Sequence, residues 1–192
     1  MTTIYLHGFL SSPRSVKGRM LAAAHERRRA AFLAPDLNIG PAQAASLLLQ
    51  LTEGIPARSL AVVGSSLGGF YAAWLAEKRG CRAVLLNPAV RPWEFVKDYM
   101  GEQPTVAGDR TVNVTPDFVR QLRELDVPEM TRPERYLVLL STADETLDWR
   151  EADAKYREAT RVLIPGGDHR ISAFADYCEA VTDFCCGGPA AA

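Results

Sequence analysis

Histidine, cysteine and net charge are all scarce in this chain: three His, four Cys and a formal charge of -1 over 192 residues. Each scarcity excludes something. With 22 basic against 23 acidic side chains, no charge excess draws the chain to a nucleic acid or an anionic membrane. No apolar run approaches the roughly 20 residues that cross a bilayer. Met1-Thr2-Thr3 leads directly into an apolar strand, leaving no room for a leader's basic and apolar regions and cleavage site. Cys81, Cys178, Cys185 and Cys186 lack zinc-ligand spacing, and an adjacent pair suits neither a disulfide framework nor a redox C-x-x-C. Thiols in a reducing cytoplasm fit them. Nothing in the chain calls for a metal or another cofactor. Its length suits one domain, able to bury about 70% of its unfolded surface.

What the chain does have is Leu60-Ala61-Val62-Val63-Gly64-Ser65-Ser66-Leu67-Gly68-Gly69. An apolar run ends at Gly64, and a helix from Leu67 to Lys78 follows. G-x-S-x-G in a strand–turn–helix context is the pattern of a nucleophile elbow. There Ser66 sits on a turn tight enough to expose its hydroxyl. Gly64 and Gly68 leave no side chain where the strand and helix backbones nearly touch. The Leu67 N–H, at a helix start, faces a developing oxyanion. The bare pattern is weak, because a Gly/Ser-rich turn without chemistry reads the same; its position gives it weight.

Taken in order, strands are expected at Ile4–Leu6, Ala31–Ala34, the elbow strand, Arg82–Leu86, Tyr136–Leu140 and Arg161–Ile164. Helices are expected at about Ser15–Arg29, from Pro41, Leu67–Lys78, Trp149–Ala159 and Ser172–Cys185. Gly187-Gly188-Pro189 and the alanines read as a frayed tail. Apolar strands alternating with helices predict a mostly parallel α/β sheet of about six strands with both faces covered. From about Arg91 to Glu134 the rhythm breaks. Trp93–Met100 is amphipathic, Gln103–Asn113 reads as loop, and Thr115-Pro116 starts a helix to about Leu125. No strand is expected there, and the excursion reads as a small helical cap within a single domain spanning 1–192. The first helix carries Arg14, Lys17, Arg19 and Arg27-Arg28-Arg29. Those cations suit either a phosphate-binding face, for instance for coenzyme A, or a solvated helix whose cations complement its dipole; the second is preferred.

In a parallel sheet the strands' carboxyl ends share one edge, where ligands bind. Ser66, Asp144 and His169 each follow a different strand there, in the order Ser, Asp, His. A serine hydroxyl is a poor nucleophile until an imidazole takes its proton, and the imidazole needs a carboxylate to fix its tautomer. Of the three histidines, His25 is expected to be exposed on the basic helix. His7 lies in the loop after the first strand, where a shape or hydrogen-bonding role suits it; His169 is left as the base. Asp144 ends its strand and is the preferred acid over Glu145, Asp148, which reads as a helix N-cap, and Asp168, which is too close to the histidine in sequence. His7-Gly8-Phe9-Leu10 is similar to the first oxyanion loop of α/β-hydrolases, with the Phe9 N–H as second donor.

The whole chain resembles the small bacterial esterases of the YqiA type, a compact branch of the α/β-hydrolases. The resemblance rests on His7-Gly8-Phe9 with Ser11-Ser12-Pro13-Arg14-Ser15, and on Gly64-Ser65-Ser66-Leu67-Gly68-Gly69 with Tyr71 and Trp74. It continues in Asn87-Pro88-Ala89-Val90-Arg91-Pro92, Asp144-Glu145 with Leu147-Asp148, and Gly166-Gly167 with His169. It implies a serine esterase acting on a small carboxylic ester or acyl thioester, with Ser66, Asp144 and His169 as triad. His7, Gly8, Tyr71, Asn87, Arg91 and Trp93 are expected to line the substrate pocket, with Trp74 and Phe95 also bearing on acyl and alcohol choice. Two departures stand out: Asp168 where Asn is expected, and Arg170-Ile171 in place of a more apolar pair. A carboxylate beside His169 favours its protonated form. The same site also suits lyase or acyl-transfer chemistry, and a non-catalytic hydrolase-like binder is a third reading. The leaving group separates the second from the first, and labelling of an activated serine separates the third.

Overall fold

The apolar runs form strands and the segments between them form helices. The computed structural model describes residues 1–188. β1 (Thr2–Leu6) leads to α1 (Val16–Arg27), β2 (Ala31–Leu33), α2 (Pro41–Thr52), β3 (Leu60–Ser65), α3 (Leu67–Arg79) and β4 (Arg82–Leu86). An excursion follows, made of α4 (Trp93–Val96), a hairpin of β5 (Gly101–Pro104) and β6 (Thr111–Val114), and α5 (Pro116–Glu124). The sheet then resumes with β7 (Tyr136–Ser141), α6 (Trp149–Lys155), β8 (Thr160–Ile164) and α7 (Phe174–Cys185).

Six strands form one sheet in the order β2-β1-β3-β4-β7-β8, and every pairing is parallel. Alternate side chains serve opposite faces. Tyr5, Val63, Val84 and Leu139 pack with Leu21 of α1 and Phe174 and Val181 of α7. Leu6, Val62, Leu85 and Leu140 pack with Leu48 of α2, Leu75 of α3 and Phe118 of α5. All residues of β3 and β7 are buried, so their sequences are apolar without alternation. Each fully buried Leu or Val contributes about 1.5–3 kcal/mol relative to exposure.

Local signals fix the helix starts. Ser15 Oγ accepts from the Gly18 N–H, Thr115 Oγ1 from Phe118, and Asp148 Oδ1 from Arg150. Pro41 and Pro116 occupy first positions, where the missing N–H costs nothing. The cations ending α1 are turned to packing: Arg27 pairs with Glu179, and Arg28 with Glu179 and Asp183 of α7.

Four expectations are corrected. His25 is fully buried rather than exposed. Its Nδ1 reaches the Leu21 carbonyl and its Nε2 the Thr3 hydroxyl, both at 2.8 Å, so the ring joins α1 to β1. The cap is not purely helical, since Gln103–Asn113, expected as loop, belongs largely to the β5–β6 hairpin. Of its strand residues only Val112 and Val114 are buried, so it shows no apolar run. The helix expected over Trp149–Ala159 stops at Lys155, because Tyr156–Ala159 forms turns. Gly187 and Gly188 are tied: their N–H groups bond Phe184 and Asp183 carbonyls, and Arg82 donates to the Gly188 carbonyl. The rest of the expected tail, 189–192, lies outside the described residues. Among the described residues no helix is long and apolar enough to cross a membrane.

This topology positions the site. From β1 the chain winds one way to β2; from β3 it winds the other way to β4, β7 and β8. The order therefore reverses between β1 and β3, and a crevice opens at their carboxyl ends. The excursion folds over the β1 side of it. The Val106 N–H donates to the Leu10 carbonyl at 2.8 Å, and the Phe9 ring meets Phe95, Tyr99 and Phe118 edge-on.

Candidate active site

Ser66 is the single residue between β3 and α3, and its backbone is strained, with φ 55° and ψ -119°. A non-glycine residue in this region costs on the order of 1–3 kcal/mol and persists only where its surroundings impose it. Here they do. A Cβ on Gly64 would lie 2.1 Å from the Gly68 carbonyl oxygen, and one on Gly68 would lie 2.1 Å from that of Leu6. Strand, helix and β1 are thus in backbone contact around the turn. Ser66 is held by its own N–H to the Leu86 carbonyl (3.0 Å), and its carbonyl accepts from Ala89 (3.1 Å). Its hydroxyl is left partly exposed and, among the described residues, unpartnered.

The loop after β1 closes on this turn. A Cβ on Gly8 would stand 3.3 Å from Ser66 Cβ and 3.9 Å from Ser66 Oγ. His7, 2% exposed, shapes the loop. Its Nδ1–H donates to the Gly8 carbonyl (2.8 Å) while Nε2 accepts from the Leu37 N–H (2.9 Å). Burial pushes the His7 pKa below its ordinary value, against the Gly8 bond and Asp36, so the ring stays neutral with both nitrogens occupied. Among the described residues the Phe9 and Leu67 N–H groups donate to no protein acceptor. Leu67 opens α3, where the helix dipole favours negative charge.

On the far side, His169 Nδ1 meets Asp144 Oδ2 at 2.7 Å. The other carboxylate oxygen accepts the Thr146 and Leu147 N–H groups, each at 2.8 Å. The Asp144 side chain is 1% exposed. Burial pushes its pKa up, but the bonds from His169 and the two N–H groups outweigh this and hold it below the ordinary carboxylate range. A carboxylate anchored this way fixes Nδ1 as the protonated nitrogen and leaves Nε2 as an acceptor. The competing acids are engaged elsewhere. Glu145 accepts the His169 backbone N–H (2.9 Å), Asp148 caps α6, and Asp168 takes the Ser172 N–H and hydroxyl, both at 2.7 Å. A direct hydrogen bond between Ser66 and His169 is not formed; in unliganded sites such bonds are often long.

His169 follows β8, two strands beyond β4, and must reach back across β7. Asn87, just past β4 with φ 42° and 3% exposed, holds it there. Its Nδ2 donates to the carbonyls of Asp168 (3.1 Å) and His169 (3.0 Å) and to Ser141 Oγ (3.1 Å), and its Oδ1 accepts the Ser141 N–H (2.8 Å). This corrects the pocket assignment of Asn87: its amide is consumed by the clamp and lines neither cavity. Lys17 adds an outer tie, Nζ to the Arg170 carbonyl at 2.6 Å. Sequence reasoning found neither role, because both partners are main-chain carbonyls far along the chain.

Two cavities lie near the turn: the first is lined by Leu67, the residue after Ser66, and the second by Ala89, whose N–H bonds the Ser66 carbonyl. One of about 10 Å³ lies under the cap, lined by His7, Gly8, Phe9, Leu67, Tyr71 and Phe118 among others. The second, about 240 Å³ and open, includes Pro88, Ala89, Arg91, Phe95 and Leu147 in its lining. Its rim is acidic: Arg91 lies between Glu94 (3.1 Å) and Glu151 (2.5 Å), with Asp98 and Asp148 nearby. Of the expected pocket residues, His7, Gly8 and Tyr71 face the first cavity and Arg91 the second. Trp93 lines neither; it packs against Phe70. Among the described residues no cluster of His, Cys, Asp and Glu is arranged to hold a metal.

Comparison with known proteins agrees with this architecture. A family model described as "Uncharacterised protein family (UPF0227)" matches residues 2–186. The structure is similar to Est1E from Butyrivibrio proteoclasticus, with a TM-score of 0.73 at 19% identity over 95% of this chain and 86% of that one. It is also similar to α/β hydrolase domain-containing protein 10 from mouse (TM-score 0.66, 17% identity, 94% and 86% covered). Carboxylesterase CesB from Bacillus subtilis gives a TM-score of 0.62 at 15% identity, with 97% and 84% covered. At such identities the likeness establishes the α/β-hydrolase fold.

Proposed function

The chain belongs to the UPF0227 family, the YqiA-type branch of the α/β-hydrolases, and from that premise we propose that it hydrolyses carboxylic esters or acyl thioesters through an acyl-enzyme on Ser66. The observation that carries this is the pairing of His169 with a buried, triply hydrogen-bonded Asp144 at the sheet edge that also presents Ser66 on a strained turn. Ser66 Oγ attacks the acyl carbon and His169 Nε2 takes its proton. The Phe9 and Leu67 N–H groups hold the oxyanion, and the imidazolium returns the proton to the departing alkoxide or thiolate. Water, deprotonated by the same nitrogen, then releases the acid. The leaving group occupies the 240 Å³ cleft beside Ala89 and Leu147. The proposed setting is the cytoplasm, which suits four unpaired cysteines, three of them buried.

The test is labelling by a fluorophosphonate together with turnover of p-nitrophenyl esters. One label at Ser66, absent from Ser66→Ala, with ester turnover lost by on the order of 10⁶ in kcat, is expected. An active Ser66→Ala protein, or a label on another residue, overturns the reading.

A further inference from the structure

Tyr71 holds a polar group that the proposed reaction does not use. It lies on α3, five residues past Ser66, is 1% exposed, and among the described residues its hydroxyl has no hydrogen-bond partner. Burial raises its pKa, so the group stays an O–H donor at all working pH values. The two other buried side-chain polar atoms left unpartnered among the described residues, Nε of Arg79 and of Arg135, belong to guanidinium groups that bond through their other nitrogens. An orphaned buried hydroxyl costs roughly 1–3 kcal/mol and calls for an explanation.

The explanation lies in the small cavity that Tyr71 lines together with Gly8, Phe9 and Leu67. At about 10 Å³ it holds one water-sized group. Of its other polar side chains, His7 has both nitrogens occupied and Asn38 Nδ2 is tied to the Ser11 carbonyl. The remaining wall is apolar, from Leu10, Ile39, Val112 and Phe118. The cavity is lined by Phe9 and Leu67, whose N–H groups are assigned to the oxyanion, and it shares no lining residue with the open cleft given to the leaving group.

Resting on the ester-hydrolase reading, we propose that Tyr71 is a specificity-determining residue whose hydroxyl binds an oxygen substituent on a short acyl chain, so that hydroxy- or oxo-acyl esters are the favoured substrates. One oxygen fills the cavity and satisfies Tyr71; a methyl of equal size fills it but leaves the hydroxyl stranded. A site built around a buried hydrogen-bonding group discriminates in this way.

The experiment compares kcat/KM for p-nitrophenyl esters of short acids hydroxylated at C2, C3 or C4, each against its methyl isostere, in the wild type and Tyr71→Phe. At one position the wild type should favour the hydroxyl by about tenfold, the value of one hydrogen bond of roughly 1.4 kcal/mol. Tyr71→Phe should reduce that ratio to about one. A ratio that persists in Tyr71→Phe, or no preference at any position, overturns the proposal and leaves the hydroxyl to a buried water. The Tm of Tyr71→Phe should equal or exceed that of the wild type, since no bond is lost; a fall of several degrees also points to water. A readout free of turnover separates this proposal from the one it rests on. Saturation-transfer NMR of the free hydroxy acids on Ser66→Ala protein should show binding that Tyr71→Phe abolishes. If esters are not turned over but this binding is seen, the hydrolase reading fails while the Tyr71 site stands; with turnover but no Tyr71-dependent binding or preference, the reverse holds.

Discussion

Asn87→Asp isolates what holds His169 in place. The substitution is isosteric, tolerates φ 42°, and keeps the oxygen that accepts the Ser141 N–H. It replaces the donor aimed at the carbonyls of Asp168 and His169 and at Ser141 Oγ; the serine hydroxyl can turn to donate to the new oxygen, whereas the two carbonyls cannot. Two buried bonds at about 0.5–1.5 kcal/mol each are lost, and an oxygen is set against two others in a site 3% exposed. A loss of about 3 kcal/mol follows, which for a chain of this length lowers Tm by roughly 6–12 °C. The catalytic consequence is larger. The clamp draws the His169 loop back across β7, and a displacement of about 1 Å at a reacting group costs on the order of 10² in rate. The loss should fall on kcat, because Asn87 lines neither cavity. The damage should also depend on pH, since a buried carboxyl at this spot titrates above its usual range and its protonated form again offers one donor. Tm measured at pH 5 and pH 8 should therefore show a smaller deficit at pH 5. A variant with Tm within 2 °C of the wild type and kcat within about twofold would refute the clamp.

The fold was legible because the sheet is buried on both faces. Val62-Val63 and Val84-Leu85-Leu86 leave no polar position to confuse the period, and each run ends in a turn signal. The cap hairpin was not legible for the opposite reason. Gly101-Glu102-Gln103-Pro104 is nearly all solvent-facing, and only Val112 and Val114 reach the core, too short an alternation to stand out. His25 was misread because the cations around it suggested an exposed face, whereas helical spacing puts it beside Leu21 on the side facing β1.

That Ser66, Asp144 and His169 each follow a different strand of one parallel sheet was readable, because apolar runs and the turn residues after them mark the strand ends. The choice among four neighbouring acids turned on strand length: β7 ends at Ser141, so Asp144 lies in the turn whose N–H groups converge on its carboxylate. The supporting residues were not readable. An Asn-Pro after a strand looks like any turn, and only the sheet order shows that β4 lies between the serine and the histidine and that something at its end must span β7. Tyr71 was placed in the pocket from its neighbourhood, but that its hydroxyl lacks a partner could be learned only from the packing.

Asp144→Asn should lower kcat by roughly 10³ to 10⁴ by removing the acceptor that fixes the His169 tautomer, whereas Glu145→Gln keeps an oxygen for the His169 N–H and should cost less than about tenfold. Plateau ester turnover at matched pH decides between them, and a reversed ranking would move the triad acid to Glu145. Lys17 offers a test in stability rather than rate. Burial pushes its pKa down to about 8, with Asp168 opposing and Arg170 assisting, while the unfolded chain binds that proton up to about 10.4. Between those values the unfolded state carries more protons, so folding stability from this residue must rise with pH; below about 8 the penalty of the half-buried ammonium is present in full and flat. Lys17→Met removes the titration together with the bond to the Arg170 carbonyl. Subtracting the variant's urea midpoint from that of the wild type cancels the tyrosines and other groups titrating in the same range. That difference should be constant from pH 6 to pH 7.5 and then climb in favour of the wild type towards pH 10. Parallel curves across the whole range would mean that the ammonium is solvated at no cost and that its tie to the His169 loop is incidental.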